Sequence, residues 1–172
     1  NAGRLEDDVI DAGFMASNWI GRAYRGEPPF EMPLNLRVVA PVNSGAMFFI
    51  VRADSALRSL RDLVGKRVAV GPEGSGMVQH VHAIFGALGL SFEEGGRALR
   101  GGGIDAQWQC PYPNPVMREI SERTEVRVLE MPEADLRAVL DRIDFYRRAV
   151  MPAGLFRGVS ADTAQLAVVN IL

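Results

Sequence analysis

The chain has one cysteine, two histidines and no apolar run long enough to span a bilayer, and each scarcity removes a class of function. A lone Cys110 excludes an internal disulfide and leaves the redox compartment undecided. It reads either as a small buried apolar residue or as a nucleophile, and no base can be placed beside it. His80 and His82 stand two apart on an expected helix, so they point to different faces and make a poor metal pair. Without a continuous apolar stretch of about 18 residues, no segment reads as membrane-inserted. Net charge is −2 with both signs scattered, and no basic cluster is interleaved with aromatics, which argues against a nucleic-acid surface. No Ser/His/Asp grouping or carboxylate pair is brought together by spacing, so no catalytic residues are expected. No cofactor motif is found either.

What is present is enough for a substantial core: 172 residues, 48% of them hydrophobic and 23% charged, fit one globular domain or two small lobes. The most informative stretch is KRVAVGPEGSGM at residues 66–77, an apolar strand running into a glycine-rich loop and then a helix. Gly71, Gly74 and Gly76 permit a sharp turn, and a helix starting near Ser75 offers unpaired N–H groups and the positive end of its dipole to an anion. A nucleotide P-loop is excluded because Met77 and Val78, not Lys and Ser/Thr, follow Gly76. The dinucleotide fingerprint fails as well, since the order is G-x-x-G-x-G and no acidic residue ends an evident second strand. A small anionic solute fits best. The competing reading is a turn that only connects strand to helix.

Along the chain, residues 9–14 read as a strand, followed by a helix capped by Ser17 and Asn18 and broken at Gly26. Residues 36–42 and 46–52 are strand candidates around Asn43-Ser44-Gly45, either a hairpin or a crossing between lobes. Leu57, Leu60 and Leu63 are spaced as a helix over residues 55–63, ended by Gly65. A helix over 75–88 carries Val78, Val81, Ile84, Phe85 and Leu88 as one stripe and closes at Gly89. Another helix is expected near 97–100, then a strand at 104–109, a helix at 116–123, a strand at 126–130 and a helix at 134–142. Strands alternating with helices predict an α/β fold with a mostly parallel sheet covered on both faces. Ligands collect at the carboxyl ends of such strands. The loops at 16–18, 71–76 and 110–114 qualify there, with Asn43 added if the chain crosses lobes.

Asn114 lies between two prolines that pre-set its backbone, so its carboxamide is either a poised donor and acceptor or a turn asparagine. Tyr112 and Tyr146 either wall a pocket or simply pack. Glu93 and Glu94 read as solvated loop charges. Most arginines read as surface, with Arg157 a candidate for the cleft.

In order, Asp11-Ala12-Gly13-Phe14, DLVGKRVAVGPEGSGM (62–77), IDAQWQ (104–109), YPNP (112–115) and FYRRAVMPAGLFRG (145–158) resemble the TAXI-type solute receptors of bacterial tripartite (TRAP) transporters. The glycine segment is shared by many type II periplasmic binding proteins, and the later motifs in this order are sharper. The resemblance implies a type II periplasmic-binding-protein-like clamshell, periplasmic or otherwise extracytoplasmic, that closes on a small carboxylate or amino acid such as glutamate. It also implies TRAP membrane permease subunits as partners. Residues 1–43 are then a partial first lobe, 44–165 the complete second lobe and 166–172 a hinge strand returning to the first. Residues 1–2 look like a scar of tag cleavage, in a piece cut from a larger protein. By the same resemblance Gly74, Ser75 and Gly76 receive a ligand carboxylate, with Met77 where the family usually has threonine. Ala16-Ser17-Asn18 stands where the family tends to have Gln-Ser-Asp, which makes Ser17 and Asn18 ligand-binding candidates and removes a charge. The alternatives are a ligand-sensing module of a signalling protein and an enzyme on the same bilobal fold.

Overall fold

A computed structural model describes residues 2–72, 75–94, 103–109 and 115–172. Compactness divides the chain into two units, one formed by Asn1–Ser44 with Val168–Leu172 and the other by Gly45–Ala167. The first unit contains α1 (Ala2–Glu6), β1 (Met15–Ala16) and α2 (Ser17–Arg25). Two long strands, β2 (Pro41–Arg52) and β8 (Thr163–Ile171), are hydrogen-bonded neighbours, and both pass from one unit into the other. The second unit holds a 3-10 turn (Leu60–Leu63), β3 (Arg67–Ala69), α3 (Gly76–Leu88), β4 (Glu93–Glu94), β5 (Ala106–Gln109), α4 (Pro115–Arg123), β6 (Val126–Val128), α5 (Glu133–Leu140) and β7 (Tyr146–Met151).

The α/β class is the expected one, and the sheet is mixed within it. β3 runs parallel to β4 and β5, while β2 is antiparallel to β5 through Phe48↔Gln109 and Ile50↔Gln107 and to β6 through Ile50↔Val128. The antiparallel members arise because β2 enters from the first unit instead of following a crossover helix. β7 pairs with β8, and β1 pairs antiparallel with its far end through Met15↔Ile171.

Residues 46–51 of β2 are all buried, as a strand covered on both faces requires. Phe48 and Ile50 join Val126, Val128, Met117 of α4, Met151, Phe156 and Val159 in one cluster. On the opposite face Phe49 meets Trp108 and, at 5.8 Å between ring centroids, Phe85 of α3.

Several expectations are corrected. Residues 36–42 and 46–52 form no hairpin, because the chain continues extended through Asn43-Ser44-Gly45 as a single strand. The first strand is Met15–Ala16, and residues 9–14 are irregular. The N-cap of α2 is Ala16, and neither Ser17 nor Asn18 caps the helix with its side chain. The leucines of 55–63 do not build an α-helix. Ser59, extended at φ −129° and ψ 166°, is instead the N-cap, closed by a capping box with Asp62, so helical geometry begins only at Leu60, and Val64, at φ −58° and ψ 123°, leaves it after four residues. β7 had no counterpart in the sequence reading. The helix expected near 97–100 lies outside the described residues. By contrast α3 and its stop agree: Gly89 adopts φ 66° and its N–H, like that of Leu90, turns back onto the last turn.

Candidate functional site

The strand-to-helix connection after β3 places Ser75 as the N-cap of α3, with Gly76 the first helical residue. Ser75 has extended φ/ψ of −78° and 155°, as an N-cap should, yet its hydroxyl makes no capping bond. Among the described residues its buried Oγ has no hydrogen-bond partner, and one turn further along α3 the Oε1 of Gln79 is in the same condition. α3 packs against β5, where Trp108, 1% exposed, holds a third such atom, its indole Nε1. Buried polar atoms are almost always paired, so two donors and an acceptor left open on α3 and the strand it packs against call for a ligand or water. With the free N–H groups of the first turn and the helix dipole, the end of α3 is equipped for an anion.

At the same loop, Gly71 has φ 106° and the Met77 side chain sits where a Cβ would begin, its nearest atom 3.3 Å away. Met77 thus covers the turn with apolar surface.

In the first unit the start of α2 repeats the pattern. Ser17 Oγ and Asn18 Oδ1 are buried and without hydrogen-bond partners among the described residues, and Asn18 is 5% exposed. Beside this helix start, Phe14, Met15, Ala16, Trp19, Pro29 and Phe30 line an apolar cavity of about 490 Å³. Trp19 and Phe30 meet edge-on there, 6.2 Å between centroids.

The remaining candidates separate. Asn43 lies exposed in the part of β2 that belongs to the first unit. Tyr146 is in the interior of the second unit, 1% exposed, its hydroxyl 2.8 Å from Nδ1 of His80. That burial makes it a packing residue and not an open wall. Burial also pushes His80 down to about 4, so the imidazole is neutral near pH 7. His82, by contrast, is exposed and lies against Phe92. Arg157 pairs with Glu125 at 3.2 Å. Gly74, Tyr112, Asn114 and Cys110 lie outside the described residues. Sequence reasoning passed over Gln79 and Trp108. The signal for Gln79 was its place one turn after Ser75, whereas nothing in the sequence marks the indole N–H as unpaired.

Among the described residues no group of three or more His, Cys, Asp or Glu side chains is placed to hold a metal ion. No described helix is long and apolar enough to cross a membrane. The sequence profile described as the NMT1-like family matches residues 1–172.

Proposed function

The chain belongs to the NMT1-like family, a family of periplasmic-binding-protein-like substrate-binding proteins, and from that premise we propose a TAXI-type solute receptor serving a TRAP transporter. Its solute is a small carboxylate or amino acid of the glutamate kind, captured outside the cytoplasm and delivered to the TRAP permease subunits. The first unit is a partial first lobe, the second unit a complete second lobe, and the end of β8 the strand that returns between them in sequence.

The observation that carries this reading is the start of α3. A carboxylate there accepts the Ser75 hydroxyl and the first N–H groups of the helix, and Trp108 Nε1 is a further donor without a partner. The unpaired Gln79 Oε1 suits a donor on the same solute, such as an ammonium or hydroxyl group. Gly74, Tyr112 and Asn114 are further ligand-binding candidates by their place in the sequence, between β3 and α3 and between β5 and α4. Binding proceeds without turnover.

The test is calorimetric titration with glutamate, aspartate, 2-oxoglutarate and succinate, with Ser75→Ala run in parallel. Saturable binding weakened about tenfold or more by loss of the Ser75 hydroxyl is expected. Saturable binding that Ser75→Ala leaves unchanged overturns the assignment of the anion seat, and turnover of a bound solute overturns the receptor reading.

A further inference from the structure

A second concavity in the Gly45–Ala167 unit brings two guanidinium groups together with one carboxylate. It encloses about 250 Å³ and is lined by Arg58, Arg127, Glu130, Ser160 and Thr163 among others. Arg127 is the middle residue of β6, so its side chain leaves the sheet on the face opposite Val126 and Val128, which belong to the core. Its Nη2 donates to the carbonyl oxygen of Ser55 at 2.5 Å, and Nη1 of Arg58 donates to that same oxygen at 2.5 Å. Two guanidinium groups therefore converge on one neutral acceptor.

Neither group meets a carboxylate. Arg25, Arg52, Arg61, Arg67, Arg148 and Arg157 all end on an Asp or Glu side chain, whereas among the described residues no ion pair involves Arg58 or Arg127. Asp62 spends its carboxylate on the backbone N–H groups of Arg58 and Ser59, at 2.8 and 2.9 Å, Asp54 pairs with Arg52 and Glu125 with Arg157. Nε of Arg127 is buried with no hydrogen-bond partner among the described residues. Burial first, and then the charge of Arg58, push the Arg127 guanidinium below its ordinary value, the response of a cation that has lost water and gained a like neighbour. Leaving a partly desolvated guanidinium unpaired is costly, and an oxyanion is its natural complement, because the planar fork offers two parallel donors to two oxygens. The volume, about eight waters at roughly 30 Å³ each, admits one such group with part of its hydration.

We propose that this concavity is an anion site separate from the α3 seat, taking one phosphate or carboxylate group between the guanidinium forks of Arg58 and Arg127, with the Ser160 hydroxyl as a further donor. The bound group would tie together three stretches distant in sequence, residues 55–58, β6 and the 158–163 turn. Glu130 sets the selectivity: its carboxylate at the same opening disfavours a second negative group, so a monoanion or a singly presented oxyanion is taken over a polyanion.

The experiment is a ¹H–¹⁵N NMR titration of the whole chain with sodium phosphate, sodium acetate and, at matched ionic strength, sodium chloride. The expected result is saturable perturbation at Arg58, Arg127 and Ser160, including the Arg127 Nε–H resonance, with phosphate or acetate and not with chloride. Comparison of the phosphate and acetate arms identifies which oxyanion is preferred. Arg58→Gln, at an exposed position, and Arg127→Gln should each weaken the effect about tenfold, and Ser75→Ala should leave it in place. Perturbation confined to residues 75–79, an equal response to chloride, or no saturable response at millimolar anion overturns the proposal.

Discussion

Acidification probes the interior of the second unit through His80. The imidazole is 3% exposed, bonded to the Tyr146 hydroxyl and held down to about 4 by burial, against an ordinary value of 6.5. A histidine whose folded value is depressed contributes its full share of stability above the unfolded value and loses it as pH falls toward the folded one, because the unfolded chain binds the proton first. The window therefore runs from about 6.5 down to about 4. Linkage over that interval gives a loss of about 1 kcal/mol by about pH 5.5 and about 2 kcal/mol by about pH 4.5, relative to neutrality. Urea unfolding at a series of pH values, in the native chain and in His80→Gln, isolates this contribution. Asp62 and Asp105, whose carboxyls are held down by hydrogen bonds from backbone N–H groups and from Arg67, lose their share at lower pH and cancel between the two proteins. The native chain should be the steeper by those amounts. Parallel profiles, or a His80 ring resonance that titrates near its ordinary value, would refute the reasoning.

Other substitutions test single contacts. Gly158 has φ 93° and a Cβ would lie 2.4 Å from the Val126 carbonyl oxygen, so Gly158→Ala should cost about 3 kcal/mol. Gly65→Ala, with φ 67° but open space, should cost only about 1 kcal/mol, and equal urea midpoints for the two would refute the close approach. Arg61 holds Asp135, 2% exposed, through a bidentate pair, so Arg61→Met leaves a buried carboxylate unpaired and should lower stability by about 2 kcal/mol in the same assay. Asp62→Ala removes the acceptor that closes the capping box before Leu60 and should cost about 1 kcal/mol, read as a shift in thermal midpoint.

The parts of the fold legible in advance were those fixed by local physics. α3 was readable because its apolar stripe and the glycine that reverses the chain at Gly89 are both written within a few residues. The same stripe hid His80, since a pattern of apolar residues does not reveal that a neighbouring polar ring is buried and finds its partner 66 residues later. β2 is ambiguous in the sequence, between a hairpin and a crossing, for the opposite reason: Asn43-Ser44-Gly45 has turn chemistry, but pairing with β8 keeps the chain extended through it, and the strand crosses from one unit to the other. The leucines of 55–63 have helical spacing, but Ser59 as N-cap, boxed with Asp62, starts the helical turn only at Leu60, and Val64 ends it. Of the candidate site, Ser75 and Gly76 were marked by their place between a strand and an amphipathic helix. Gln79 and Trp108 were not, because an unpaired atom is a property of the packed state.

The division of the chain has a consequence for the order in which it acquires structure. Gly45–Ala167 is an excursion within the first unit, whose own pieces meet only when Met15 pairs with Ile171 and Leu172 exchanges hydrogen bonds with Ala40. Closing a loop that long from an unfolded chain costs about 4 to 5 kcal/mol in entropy. Once the second unit has formed, its two ends are already neighbours, because β2 and β8 are hydrogen-bonded, and the closure is largely complete before the first unit begins. The segments of the first unit on either side of the excursion therefore meet at little further entropic cost once residues 45–167 have folded, and that unit depends on the second for its closure.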